Sequence, residues 1–190
     1  MFPLHVPNED QARSLIETQR GLPFSYPQPG SSRLETAPPG FNLDHNRIRL
    51  GTGREAFEKA KAAVRSWEMF RMPWVRLFRH DAPIEIGTTV AMAAPGLGLW
   101  TLNACRIVYT VDEADAFGFA YGTLPHHVER GEERFTVRWD RADDSVWYDI
   151  LSFSRPGPLL IRLGKPLVRR LQRRFVVDSM SSMAAFVAER

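Results

Sequence analysis

The sequence has little of several features that would assign it to a biochemical class. Its 190 residues include one cysteine, Cys105, which excludes an intramolecular disulfide and a cysteine-based zinc site. No apolar run reaches the roughly 18 residues that a bilayer-spanning helix needs. The first residues, MFPLHVPNEDQ, lack the basic and apolar regions of a secretory signal. We therefore expect a soluble, cytoplasmic protein.

A glycine-rich phosphate loop is also missing. The glycines of GLGL, from Gly96 to Leu99, lie between two predicted strands and are not followed by a helix. We therefore expect no cofactor.

Positive charge is concentrated in one segment. The formal net charge is only +3, but six cations lie between Arg162 and Arg174, and residues 150–177 contain no acid. The simplest interpretation is a solvated helix face. An alternative is contact with an anionic membrane surface through Arg169, Arg170, Arg173 and Arg174. Nucleic acid is a less favoured partner, because no aromatic residues are interleaved to stack on bases.

Local patterns predict helices on either side of an antiparallel sheet. Residues 1–45 are expected to form an N-terminal helix, capped by Asn8, and an irregular proline-rich arm held by aromatic residues. HNRIRLG follows as a strand. TGREAFEKAKAAVRSWEMFRM then reads as a helix with a capping box formed by Thr52 and Glu55.

The middle of the chain is rich in strands. WVRLF, GTTVAMAA, GLWTL and CRIVYTVDE are β-branched or aromatic segments separated by turn residues. In DAFGFAYGTL and EERFTVRWD, large side chains alternate with small or polar ones, so Phe117, Phe119 and Tyr121 share a face, as do Glu133 and Phe135. DSVWYDILSF follows as a strand covered on both faces. Close spacing without intervening helices favours antiparallel pairing.

A long C-terminal helix is predicted from about Pro166. Its apolar and small residues form one stripe, with the arginines opposite: Gly164, Val168, Leu171, Phe175, Ser179, Ser182 and Phe186. We therefore predict one α+β domain over residues 1–190, a helix-grip fold in which a curved antiparallel sheet wraps around the long C-terminal helix.

Three segments carry a resemblance to a known family. GTGREAFEKAKAAVRSWEMFR, CRIVYTVDEADAFGFAYGTLPHHVERGEERFTV and FSRPGPLLIRLGKPLVRRLQRRF resemble the bacterial and plant domain-of-unknown-function family nineteen-ninety. FSYPQPGSSR, from Phe24 to Arg33, is similar to that family's opening motif. His127 matches the family's histidine, and His126 departs from its pattern. The element order is similar to the wider START-like and polyketide-cyclase superfamily, which implies a small hydrophobic ligand between sheet and terminal helix.

The histidines and glutamates between Gly118 and Asp140 admit three interpretations. A metal site is disfavoured, because the side chains of the adjacent His126 and His127 diverge in extended chain. A solvated hairpin loop, with Gly131 at its turn, is the simplest interpretation. The third is an acid–base pair of His127 and Glu133, in which burial raises the pKa of the glutamate.

The leading hypothesis is a domain that binds a small hydrophobic molecule or lipid. The expected cavity residues share the aromatic face of the sheet: Phe117, Phe119, Tyr121, Phe135, Trp139 and Tyr148. His127 and Glu133 would lie at the cavity mouth. The alternatives are a cyclase or hydrolase that uses the His127/Glu133 pair, and an interaction module that uses the arginines. No metal is expected.

Overall fold

The chain folds into an antiparallel sheet of seven strands with helices against it. The computed structural model describes residues 5–96, 99–157 and 165–189. The predicted stripe positions Gly164 and Val168 and the middle of GLGL lie outside the described backbone or side chains. The strands are β1 (Asn42–Thr52), β2 (Arg76–Phe78), β3 (Thr89–Gly96), β4 (Leu99–Asp112), β5 (Ala116–Thr123), β6 (Glu129–Trp139) and β7 (Ser145–Pro156).

The strand order is β1-β7-β6-β5-β4-β3-β2, and every neighbouring pair is antiparallel. Strands β3 to β7 follow one another as a meander, which the short turn-forming connections predict. GLWTL and CRIVYTVDE were expected as separate strands, but they form the single strand β4. A change of register between Ile107 and Tyr109 bends it without ending it.

Among the described residues, three α-helices accompany the sheet: α1 (Glu9–Gln19), α2 (Gly53–Arg65) and α3 (Lys165–Ala188). The same residues contain two short 3-10 helices, η1 (Ser31–Leu34) and η2 (Glu68–Phe70), in the connections. Helices α2, η2 and α3 pack on one face of the sheet, here called the inner face, and α1 packs on β3 and β4 of the outer face. The predicted α+β helix-grip architecture is therefore confirmed. Within the described residues, no helix is both long and apolar enough to cross a membrane.

The two predicted helix caps have different outcomes. The Asn8 side chain accepts from the backbone N–H of Gln11, and the Gln11 side chain accepts from that of Asn8, so the predicted N-cap is confirmed. The capping box of Thr52 and Glu55 is wrong, because the Thr52 side chain makes no capping hydrogen bond. The N–H of Gly53 instead donates to the carbonyl of Asp144, 2.8 Å away, in the turn between β6 and β7.

The irregular arm lies on the outer face of β5, β6 and β7. Tyr26 packs edge-on against Phe153, with ring centroids 5.4 Å apart, and Phe41 packs on the same ring at 5.6 Å. Gly122 makes room for the arm, because a Cβ there would lie 2.1 Å from the hydroxyl oxygen of Tyr26. The arm thus depends on a glycine of the strand beneath it.

A buried carboxylate also fastens the arm. Glu132 of β6 is 2% exposed. Its carboxylate accepts hydrogen bonds from the Tyr26 hydroxyl and the Gly30 N–H, each 2.7 Å, and from the N–H and hydroxyl of Ser32. The neighbouring outer-face residue Arg134 forms an ion pair with Glu35 at 2.8 Å. Glu132 is therefore a structural anchor.

Candidate functional site

A cavity of about 600 Å³ lies between the inner face of the sheet and the first turns of α3. Part of its wall is apolar, formed by Val75, Met92, Leu171, Phe175 and Val176. The opposing polar part is formed by side chains of β5, β6 and the connection between them: Tyr121, His127, Glu129 and Glu133. Such a mostly apolar space with a few placed polar groups is typical of sites for small molecules.

Glu133 is the central group of the polar wall. It is half-buried on the inner face of β6, opposite Tyr121 of β5, whose hydroxyl donates to Glu133 Oε2 at 2.9 Å. Burial raises the pKa of Glu133 from its usual 4.5 to about 7, and the nearby charge of Glu129 adds to the rise, against the effect of the Tyr121 hydrogen bond. Near neutral pH, this carboxyl group changes charge inside the cavity.

His127 and Glu133 have different hydrogen-bond partners. Its Nδ1 accepts the backbone N–H of Glu129 at 3.0 Å, so in the neutral ring the proton lies on Nε2. Burial lowers the pKa of His127 from 6.5 to about 4, which keeps the ring neutral at physiological pH. Among the described residues, no hydrogen bond or ion pair joins His127 to Glu133, so the predicted pair is not formed.

The connection between β5 and β6 is shorter than the sequence predicted. Strand β6 begins at Glu129, earlier than the predicted EERFTVRWD, so only residues 124–128 separate it from β5. Gly131 lies inside β6, where a Cβ would lie 2.0 Å from the carbonyl oxygen of Phe153, and its predicted place at a loop turn is therefore wrong. Pro125 and His126 are exposed.

Glu129 was considered from the sequence only as a possible metal ligand and was not predicted to line the cavity. It is half-buried, lines the cavity on the same face of β6 as Glu133, and its Oε1 accepts from Gln172 Nε2 at 3.1 Å. Burial raises the pKa of Glu129, and the Gln172 hydrogen bond and the charge of Arg169 oppose the rise. The spacing of four residues from Glu133 in a strand was the signal that places both on one face.

The first turns of α3 are tied to the sheet beside the cavity. Arg169 binds both carboxylate oxygens of Asp44 in β1, at 2.6 and 2.7 Å. Gln172 also donates to the Ser154 hydroxyl of β7 at 3.2 Å. These contacts join α3 to β1, β6 and β7 at the cavity wall.

The arginines of α3 do not form one solvated surface. Arg169 is turned to Asp44, and Arg174 lies over the ring of Trp74 at 4.7 Å and 3.5 Å from Asp178. Arg170 and Arg173 are exposed, and Arg173 also lines the cavity. The predicted placement of all four opposite the inner stripe is therefore wrong for Arg169, which an acid of β1 draws inward.

Sequence comparison places the chain in a family. A model of the family described as "Domain of unknown function (DUF1990)" matches residues 25–182. The chain belongs to this family. A UPF0548 protein of Dictyostelium discoideum is 36% identical over 203 residues, which cover 96% of this chain and 94% of that protein. A UPF0548 protein of Deinococcus radiodurans is 36% identical over 185 residues, 92% of each chain.

Solved structures agree with this DUF1990 chain in fold. A START superfamily protein of Mycobacterium smegmatis has a TM-score of 0.51 at 11% identity, over 78% of this chain and 97% of that one. Truncated norcoclaurine synthase of Thalictrum flavum has a TM-score of 0.52 at 11% identity, over 79% of this chain and 95% of that one. The resemblance to the family and to the START-like fold is thereby confirmed.

In this DUF1990 member, the six residues predicted to bind a ligand separate into two groups. Tyr121 lines the cavity. The other five belong to the hydrophobic core of the inner face or pack against it, and they are not among the cavity-lining residues: Phe117, Phe119, Phe135, Trp139 and Tyr148. Phe119 is 4.8 Å from the ring of Trp67, and the Tyr148 hydroxyl is 3.0 Å from that of Ser179. Helices α2 and η2 and the end of α3 fill the space that these side chains face.

In the described parts of the chain, no group of three or more histidine, cysteine, aspartate or glutamate side chains is placed to hold a metal ion.

Proposed function

We propose that this protein binds a small hydrophobic molecule in the cavity between the sheet and α3. The observation that carries the proposal is the cavity of about 600 Å³, whose lining combines an apolar part with polar groups that include Tyr121, His127, Glu129 and Glu133. The apolar wall supplies affinity by removing ligand surface from water, and the polar groups orient the ligand.

The fold supports this proposal by analogy. A point mutant of norcoclaurine synthase, with a TM-score of 0.50 over 79% of this chain, has been solved in complex with a transition state analogue. Fold alone does not determine function, so the proposal depends on the cavity of this chain and on its lining residues.

The other hypotheses receive less support. An acid–base enzyme built on His127 and Glu133 needs the two side chains in contact, and each has a different partner. An anionic membrane partner would use the arginines of α3, but Arg169 and Arg174 are engaged with Asp44 and Asp178. The comparisons give no support to a membrane or nucleic-acid partner.

Two measurements test the proposal. Native mass spectrometry of gently purified protein, followed by solvent extraction, should show a co-purifying small molecule. Titration with Nile red, a neutral dye, should give saturable binding with a blue-shifted emission.

A pair of variants locates the binding site. Leu171→Trp places an indole in the cavity wall and should weaken Nile red binding at least about tenfold, which corresponds to roughly 1.4 kcal/mol. Ile86→Trp is the control, because Ile86 is 69% exposed and does not line the cavity. Equal dye binding by the two variants, or no saturable binding by the wild type, would refute the proposed function.

A further inference from the structure

The polar wall of the cavity offers unused hydrogen-bond acceptors. Tyr121 occupies one oxygen of Glu133, and Gln172 occupies one oxygen of Glu129. Among the described residues, nothing donates to the second oxygen of either carboxylate. Both of these oxygens keep some accessible surface. Among the described residues, the fully buried side-chain polar atoms without a hydrogen-bond partner are Arg134 Nε, Thr136 Oγ1 and Asp149 Oδ2, and neither glutamate is one of them. Both carboxylates therefore have an oxygen available to a ligand.

The charged groups around these two carboxylates include arginines, and the charge of Arg169 lowers the pKa of Glu129. Three arginines line the cavity: Arg130, Arg169 and Arg173. Arg169 forms its ion pair with Asp44. None of the described ion pairs includes Glu129 or Glu133. The two acidic groups on one face of β6 instead repel each other when both are ionised. A cation bound between them would relieve that repulsion.

The surroundings favour an organic cation over a metal ion. A divalent metal needs several oxygen or nitrogen ligands in close array, and the described residues contain no such group of three. An ammonium group needs only a few acceptors and tolerates apolar neighbours. Aromatic rings of Trp74, Tyr121 and Phe175 also line the cavity, and aromatic faces attract alkylammonium groups.

We propose that the ligand is an amphipathic amine, whose protonated nitrogen lies at Glu133 and Glu129 and whose hydrocarbon part lies against Met92, Phe175 and Val176. This inference rests on the proposed function, since it names the chemical class of the ligand for the same cavity. An anionic lipid or fatty acid is disfavoured by the same two carboxylates.

The charge of Glu133 should control the affinity. Its pKa of about 7 means that raising the pH through neutrality ionises the group and strengthens its attraction for an ammonium ion. Titratable or charged groups from several elements surround Glu133. They are Asp44 of β1, Cys105 of β4, Tyr121 of β5, His127 of the connection, Glu129 and Arg130 of β6, Tyr148 of β7, and Arg169 and Arg173 of α3. His127 stays neutral over this range, and burial raises the pKa of Cys105, Tyr121 and Tyr148.

The test compares n-octylamine with n-octanol, which have the same chain and differ in charge. Isothermal titration calorimetry at about pH 8, where Glu133 is mostly ionised, should show at least about tenfold tighter binding of the amine, because hydrogen bonds between charged groups are about twice as strong as neutral ones. The preference should shrink at about pH 5.5, where Glu133 is protonated and the amine keeps its charge.

Glu133→Gln should abolish the preference for the amine over octanol at about pH 8. Glu113→Gln is the matched control, because Glu113 is exposed in the turn between β4 and β5 and lies outside the cavity. Octanol binding without a preference for the amine, or a preference that survives Glu133→Gln, would overturn this inference alone. If neither compound binds, this inference is overturned, and the proposed function fails with it only if saturable Nile red binding is absent as well.

Discussion

The adjacent residues Glu132 and Glu133 should respond in opposite ways to the same substitution. Both are glutamates of β6. Glu132 is buried on the outer face, where it accepts hydrogen bonds from the arm. Glu133 lines the cavity on the inner face, where it accepts one described hydrogen bond, from Tyr121. Replacement by glutamine keeps the size of either side chain and removes only its capacity to be a carboxylate.

Glu132→Gln should destabilise the fold by about 3 kcal/mol. The amide NH₂ must replace one carboxylate oxygen, and it then faces the N–H of either Gly30 or Ser32, neither of which can act as an acceptor. A buried donor without a partner costs roughly 1–3 kcal/mol, and the loss of charge weakens the remaining hydrogen bonds. The arm should also loosen from the sheet.

Glu133→Gln should stabilise the fold by about 1–3 kcal/mol above pH 7. The pKa of Glu133 is raised from 4.5 to about 7 in the folded chain, so the folded state holds its proton more tightly than the unfolded state. The stability that this group contributes is complete below about pH 4.5 and is lost as the pH rises through 7. A pKa difference of this size between the folded and unfolded states corresponds to about 3 kcal/mol of stability for a fully buried group. The half-buried position of Glu133 reduces that value.

Urea unfolding of the wild type and both variants, at about pH 5 and pH 8, measures these effects. Hydrogen exchange over residues 24–35 reports whether the arm loosens in Glu132→Gln alone. The assignment of the two faces would be refuted if Glu133→Gln were the more damaging change at about pH 8. It would also be refuted if Glu132→Gln left both stability and exchange in the arm unaltered.

Two further substitutions test how the sheet and α3 enclose the cavity. Gly131→Ala should lower the free energy of unfolding by about 2–3 kcal/mol, because its Cβ would overlap the carbonyl of Phe153. Gly21→Ala, whose Cβ would have no atom within 4 Å, should change stability by less than about 0.5 kcal/mol in the same urea titration. Arg169→Gln should remove the ion pair with Asp44 at a cost of about 1 kcal/mol or less, and should accelerate Nile red release in stopped-flow fluorescence. Arg170→Gln, at an exposed position of the same helix, should leave the release rate unchanged; equal rates for the two variants would exclude a role of the ion pair in holding the cavity wall.

Local pattern was enough to predict the sheet and its faces. The alternation of Phe117, Phe119 and Tyr121 with small residues places those rings on one face of β5, and the structure has them there, buried. The stripe of α3 was likewise correct for Phe175 and Ser179. These features depend on the periodicity of a strand or a helix, which neighbouring residues determine.

The same periodicity could not predict where along the inner face the cavity lies. Whether an inward-facing ring meets a helix or open space depends on contacts between distant segments, such as that of Phe119 with Trp67. The sequence therefore named a face that contains both the core and the cavity. Of its expected lining residues, Tyr121 is at the cavity and Phe119 is not.

The hydrogen-bond partners of individual side chains also could not be predicted from the sequence. Glu132 and Glu133 are alike in sequence, and only the folded arm shows that one of them is an anchor. His127 was predicted to pair with Glu133 across a loop, but its Nδ1 instead accepts a hydrogen bond from the backbone N–H of Glu129, two residues away. The predicted cytoplasmic location and the absence of a cofactor stay predictions.

The opposite roles of Glu132 and Glu133 make β6 intolerant of a change in length. Insertion or deletion of one residue ahead of this pair would exchange the two faces of the strand, since side chains alternate with a period of two. The anchor of the arm would then point into the cavity, and the cavity-lining carboxylate would lie beneath the arm. The arm and the cavity each keep their own glutamate only while the length of β6 ahead of this pair stays fixed.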